Sequence, residues 1–333
     1  MLVIPSKVFR SLKHVPKDMS RRLPRQLSLH ALLAAHLTLD KTDSFAVPNE
    51  TLPDFSAFEA SMPFLWPLEL HAFLPKPAQD LLKKQDEKFQ RDWAMVSKEF
   101  SHMRRTQYLH SWMLVNTRSF YYTSPRMEKR PHADRLAILP VADLFNHADV
   151  GCDSAFSSDS YQFLADRAYC AGEEVPICYG THSNDFLLAE YGFVLAENRW
   201  DVVCLDEAIL PRLSEDQKNA LKDRGFLGKY SLDRETGGCF RTQVAVRMLC
   251  CTREQWEAFV DFEAGEEFAH RARRLLVEIL ETFVETIRRT LKDIGDLDVG
   301  QVCQRDLLVK RWSQIEITVV QTIQHLNSRG GSE

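Results

Sequence analysis

No glycine occurs before Gly151 in this 333-residue chain. Glycine lets a backbone turn tightly and come close to a ligand, so no glycine-built turn is written into the first part of the chain. None of the eight cysteines (Cys152, Cys170, Cys178, Cys204, Cys239, Cys250, Cys251 and Cys303) forms a Cys-x-x-Cys pair. Zinc-ligand spacing is therefore missing, and no metal is expected. Their scatter through a chain of this size points to a reducing compartment, cytoplasmic or nuclear. No apolar run approaches the roughly 18–20 residues needed to span a membrane. The stretch Leu27 to Leu39 is short, contains His30 and His36, and reads as a buried helix. No secretory signal is visible. The net charge of −5 gives no bulk signal for nucleic acid.

What is present is enough apolar material, 44% of residues, to bury a substantial core and to build two domains. The charge is uneven. Residues 1–36 hold seven Lys and Arg against Asp18, a net of +6, which leaves −11 on the rest. An Arg-bearing, acid-poor start has two readings: a mitochondrial presequence, or an exposed basic face of a folded domain. The acidic remainder suits a basic protein partner, such as a ribosomal protein or a histone tail.

Leu136 to Val141 is a short apolar run that reads as a buried strand, and Asp143, Asn146 and His147 arrive where it gives way to polar residues. Asn and His carry donors and acceptors, so they can fix a polar ligand; equally, the pair can be a turn cap and a histidine satisfied by a carbonyl. Tyr161 to Ala168 alternates loosely, Ala171-Gly172-Glu173 is a turn signal, and Glu174 to Tyr179 reads as a return strand. Ser183 is a good N-cap for the helix that follows, with Asp185 at the positive end of its dipole. Tyr179 thus ends a strand just before a helix, where a side chain can serve function or packing. His182 could be a base; the preferred reading is an exposed histidine in the strand–helix loop.

Phe58 to Pro77 is rich in proline and aromatics and suggests short helices and turns. Leu81 to Phe100 is charged and helical, and another helix starts at Thr106. Asp201 to Asp206 reads as a strand. From about Glu266 the apolar residues Phe268, Ala272, Leu275, Leu276, Ile279, Phe283, Ile287 and Leu291 keep helical spacing. After a break at Gly295 to Gly300, Leu308, Trp312, Ile315, Val319, Ile323 and Leu326 do the same. The two stretches read as an antiparallel helix pair sharing one seam. Ser328 to Glu333 is expected to be a disordered tail.

Taken together, Asp-Leu-Phe-Asn-His, then Gly-Glu-Glu-Val, Cys-Tyr-Gly-x-x-Ser-Asn and Tyr-Gly-Phe-Val resemble the core of the SET-domain protein methyltransferases. Within these they resemble the non-histone branch typified by the Rubisco large-subunit lysine methyltransferase. Asn116 to Phe120 is similar to that branch's Asn-Ser-Arg-x-Phe segment. The resemblance implies an α+β fold: a knotted, β-rich SET core over residues 1–200, split by a helical insert at about 11–110. A mostly helical substrate-binding domain would follow over 201–327, with the tail at 328–333.

The resemblance also implies S-adenosylmethionine as cofactor and a protein lysine as acceptor. Asn146, His147, Arg118, Tyr179 and Phe193 would hold the cofactor; Tyr179 would be catalytic; Phe120, Asp143, Ile177 and Tyr191 would line the acceptor channel. The implied partner is a ribosomal or other basic protein, with no direct nucleic-acid or membrane contact, and the chain is expected to be a monomer. The branch normally begins with strands carrying a Gly-x-Gly turn against the cofactor. That turn is absent from these 333 residues, so the chain as written is expected to bind the cofactor poorly. The alternatives are an impaired SET-fold binding module and a histidine N-methyltransferase.

Overall fold

The computed structural model describes residues 1–40, 51–157, 159–232, 237–262 and 268–330. In chain order its strands and helices are β1 (Leu2–Pro5), α1 (Lys17–Arg22), α2 (Leu29–Leu39), α3 (Phe55–Ser61), α4 (Leu68–His71), α5 (Lys76–Glu99), α6 (Arg105–Arg118), β2 (Ser119–Tyr121), β3 (Leu136–Ile138), β4 (His147–Phe156), β5 (Ser160–Leu164), α7 (Asn184–Tyr191), α8 (Asp206–Ile209), α9 (Glu215–Asp223), α10 (Phe240–Cys250), α11 (Arg253–Phe262), α12 (Ala269–Gly295) and α13 (Val302–Gly330). They form two compact units: residues 1–66 with 80–200, and residues 67–79 with 201–333. The segment 67–79, read above as part of the insert, groups with the second unit.

In the first unit, β1, β5 and β4 form an antiparallel sheet in that order, with Ile4 and Phe156 both opposite Tyr161. β2 and β3 pair separately, Phe120 opposite Ala137. Extended residues then cross β4. Ile177 bridges in parallel to both His147 and Cys152: the Ile177 amide donates to Asn146 O at 3.0 Å, and the Cys152 amide to Pro176 O at 2.9 Å. Residues 148–151 therefore arch around the 176–177 backbone. Gly151 is what lets them pass, because a Cβ there would sit 2.6 Å from Pro176 O.

The expected return strand over Glu174 to Tyr179 is thus not a regular strand; it is an extended segment that pairs at Ile177. The strand expected over Leu136 to Val141 stops at Ile138. Pro140 has no amide to donate, and Val141 turns the chain at a φ of 74°.

Helices α2 and α6 share one hydrophobic core with these strands. Ser28 caps α2 by accepting from the Ala31 amide. α2 is buried along most of its length against α6, where Tyr108 and Trp112 are fully covered. The basic N-terminal stretch is part of this unit. β1 pairs with β5, Leu27 and Leu29 are buried, and Arg10, itself buried, meets Asp40 at 3.1 Å.

In the second unit, α12 and α13 pack along each other. Leu276, Ile279, Phe283 and Ile287 are buried on one helix and Leu308, Trp312, Ile315, Val319 and Leu326 on the other, as their spacing predicts. Leu275, Leu291 and Ile323 are half-buried. α13 runs on through Ser328 to Gly330 where a disordered tail was expected, and the end of that tail lies outside the described residues. The strand expected over Asp201 to Asp206 is reduced to a bridge between Cys204 and Ser231, and α8 begins at Asp206.

Candidate active site

The crossing brings the separate motifs together. A cavity of about 190 Å³ is lined by Arg118, Phe120, Asp143, Ile177, Tyr179 and Tyr191 of the expected residues. Thr117, Ser119, Tyr121, Ala142, Ser154, Tyr161 and Cys178 complete it. Each element delivers its share. α6 ends at Arg118 and runs directly into β2, which places Phe120. The turn at Val141 places Asp143. The crossing segment carries Ile177 to Tyr179. Ser183 caps α7, whose last residue is Tyr191.

Tyr179 is fixed from three sides. Its hydroxyl donates to Phe145 O at 2.6 Å, its amide donates to His147 Nδ1 at 3.0 Å, and its ring packs on His147 with centroids 5.0 Å apart. Burial pushes the phenol above its ordinary value, with Asp143 and Glu174 acting in the same direction and Arg118 against. It therefore stays protonated near neutral pH, with its hydrogen committed to Phe145 and its lone pairs available. Tyr191 lies 5.1 Å from Tyr179, centroid to centroid, and burial pushes its phenol up to about 12.

Burial lowers the His147 imidazole below its ordinary value, so it is neutral near pH 7. Its Nδ1 accepts from Tyr179, so Nε2 carries the hydrogen; that atom is buried without a partner among the described residues. Arg118 Nη1 donates to the backbone carbonyl of Asp143, while Arg118 Nε is buried and has no partner among the described residues. Asp143 Oδ1 is likewise buried and unpartnered. Burial raises the Asp143 carboxyl, opposed by Arg118.

Three expected residues stand off the cavity wall. Asn146 is exposed; its carbonyl accepts from Ile177 and its amide donates to Glu174 Oε1 at 2.5 Å. The amide that the motif reading gives to a cofactor is thus tied to a carboxylate of the crossing segment. His147 lies behind Tyr179. Phe193 is half-buried, 6.0 Å from His147 and 6.3 Å from Tyr191, ring to ring. His182, expected to be exposed, is half-buried and stacked on Phe186 at 4.0 Å. Tyr161 and Glu174 were missed. The alternation of Tyr161 and Phe163 on β5 was the available signal for the first; nothing local marked Glu174.

A larger cavity of about 940 Å³ lies beside β1 and α1. It holds none of the expected site residues, and convergence of polar groups rather than size identifies the smaller one.

No family model matches the chain. SET domain-containing protein 4 of Mus musculus is 29% identical over 216 residues, 60% of this chain and 49% of that protein. Ribosomal lysine N-methyltransferase set11 of Schizosaccharomyces pombe is 29% identical over 255 residues, 72% of this chain and 65% of that protein. The chain thus spans about half to two thirds of these curated relatives. The solved structure of Rubisco LSMT bound to AdoMet superimposes with a TM-score of 0.60 at 14% identity, covering 98% of this chain and 81% of that one. By sequence the chain is similar to SET-domain proteins, and by fold it is similar to Rubisco LSMT. The crossing at Ile177 lies in the first unit and brings the two motifs to one site.

Proposed function

We propose that this chain carries the core of an S-adenosylmethionine-dependent protein-lysine N-methyltransferase acting on a non-histone protein. The reading rests on one observation above all: Arg118, Phe120, Asp143, Ile177, Tyr179 and Tyr191 converge on one small cavity. The residues fit the cofactor chemically. The unpartnered Arg118 Nε suits a carboxylate, and the unpartnered Asp143 Oδ1 suits an ammonium; the methionine end of the cofactor offers both. When bound, the cofactor supplies an electrophilic methyl group on sulfonium.

The chain's own residues do the rest by positioning. A lysine amine, ordinarily near pKa ~10.4, must be neutral to react. The aromatic rings of Phe120, Tyr179 and Tyr191 disfavour its charged form by excluding water. Tyr179, its hydrogen held by Phe145, can accept an N–H from the amine and orient the nitrogen lone pair. The same aromatic faces tolerate the positive charge that the nitrogen gains. None of these steps needs a covalent enzyme intermediate.

The substrate class leans on relatives. Three of them are ribosomal lysine N-methyltransferases, two from Schizosaccharomyces pombe and one from Saccharomyces cerevisiae, so a ribosomal protein is the first acceptor to try. Incubation of ribosomal proteins with the chain and methyl-labelled cofactor, followed by amino-acid analysis, should give methyl-lysine. Label recovered as methyl-histidine would replace lysine by histidine as the acceptor. Cofactor binding without transfer to any fraction would favour a non-catalytic binding module.

A further inference from the structure

Glu190, next to the last residue of α7, receives two amides from two different helices. Gln85 Nε2, on α5, donates to Glu190 Oε2 at 2.6 Å and to Ala189 O at 3.2 Å. Asn116 Nδ2, on α6, donates to the same carboxylate oxygen at 3.0 Å and to Glu190 O at 3.3 Å. The last carbonyls of a helix have no intrahelical donors, so the two amides cap the end of α7 as well as hold its side chain. A carboxylate accepts and never donates, and bonds to it are stronger than neutral ones.

The Gln85 orientation follows from this. The residue is buried, and its own Oε1 is left without a partner. Reversing the amide would turn that oxygen onto a carboxylate and a carbonyl.

The chain is pinned again just beyond. Gly192 closes α7 in the left-handed region at a φ of 78°, and a Cβ there would meet Ser61 O at 2.7 Å. Between the two fixed points stands Tyr191, whose ring forms a wall of the cavity 5.1 Å from Tyr179.

We infer that Gln85, Asn116 and Glu190 form a clamp through which α5 and α6 hold Tyr191 against the acceptor site, with Glu190 as its positioning residue. This deepens the proposed function and rests on it. Glu190 touches no reacting atom in this scheme; it sets the width of the channel through its neighbour.

Two measurements on the same variants separate the clamp from the activity. Hydrogen exchange over residues 187–193 reads the clamp directly. In Glu190→Ala these amides should exchange about tenfold faster or more, because the local opening has lost its strongest restraint. Steady-state kinetics with a methyl acceptor should show kcat down about tenfold, while cofactor Kd stays within about threefold. Glu190→Gln can still present one oxygen to both amides and should keep most of both properties. If Glu190→Ala does not fold, Gln85→Met carries the same test. It removes one donor and a buried unpartnered oxygen together, so stability should hold while exchange and kcat move in the same directions.

Unchanged exchange in a folded Glu190→Ala overturns the clamp, whatever the activity. Faster exchange with unchanged kcat overturns the positioning role. A wild-type chain that binds cofactor but methylates nothing overturns the functional reading, and the exchange data still decide the clamp.

Discussion

The candidate site and the α12–α13 pair each bury an arginine nitrogen, and they pair it differently. On the helical pair, Arg311 is fully buried and meets Asp201 at 2.7 Å, with Val202 O at 3.5 Å. On the cavity wall, Arg118 spends one nitrogen on a backbone carbonyl, and neither its Nε nor Asp143 Oδ1 has a partner among the described residues. Interiors pair nearly all their buried polar atoms. Two such exceptions on one cavity mark a place shaped for something other than the fold, whereas a buried charge with its counter-charge marks architecture.

The largest effects should come from making the same change on both sides of this comparison. Arg311→Met leaves a buried carboxylate without this guanidinium and should cost about 3–5 kcal/mol, most of it recovered by adding Asp201→Leu. Arg118→Met removes a group with an unpartnered nitrogen and should cost no more than about 1–1.5 kcal/mol, yet weaken S-adenosylmethionine at least about tenfold. Urea unfolding and calorimetric titration measure the two quantities. If Arg118→Met proves the more destabilising and leaves binding intact, the cluster belongs to the fold and not to a ligand.

Gly151→Ala comes next. The nearest atoms to the new Cβ are Pro176 O at 2.6 Å and Ile177 Cα at 2.9 Å, both backbone, so no side chain can swing away. The crossing must open, at about 3 kcal/mol or more. A variant with the parent's denaturation midpoint would show that residues 148–151 do not wrap the 176–177 segment as tightly as the distances require.

Tyr179→Phe should do less to stability and more to chemistry. The lost bond to Phe145 O is worth about 1 kcal/mol. The lost oxygen should slow methyl transfer at least about tenfold, or ~1.4 kcal/mol in the barrier. Full activity in the Phe variant would move the catalytic role elsewhere.

The two regions were also legible to different degrees. The helical pair could be read from spacing alone: Leu276, Ile279, Phe283 and Ile287 recur at the helical period, and burial follows it. The site could be read only as a string. Asn146, His147 and Tyr179 are marked by their motifs, but periodicity cannot tell that a segment about thirty residues away threads past them. The crossing depends on long-range backbone bonds at Asn146, Cys152, Pro176 and Ile177, and a single glycine is its local trace. The clamp on Glu190 was invisible for the same reason: Gln85 and Asn116 reach it from helices far away in sequence. Where the sequence reading erred, backbone geometry decided. Val141 ends β3 early by turning left-handed, and Glu174 to Tyr179 is extended without a regular ladder.

The smallest expected effect tests whether burial, rather than charge pairing itself, sets the value of a contact. Arg288 and Glu316 join α12 to α13 at 2.6 Å, shorter than the Arg311–Asp201 contact, but their side chains are 64% and 23% exposed. Water and salt screen such a pair, and ordering two long side chains costs entropy, so Arg288→Ala should lose no more than about 1 kcal/mol. For a chain of this size that is a shift of no more than about 2–4 °C in Tm, and less in high salt. Thermal melts of Arg288→Ala and Arg311→Met at two salt concentrations make the comparison. If the exposed pair costs as much as the buried one, the short distance outweighs solvent exposure. The contrast between a matched interior charge and an ordinary surface pair would then fail at its simplest point.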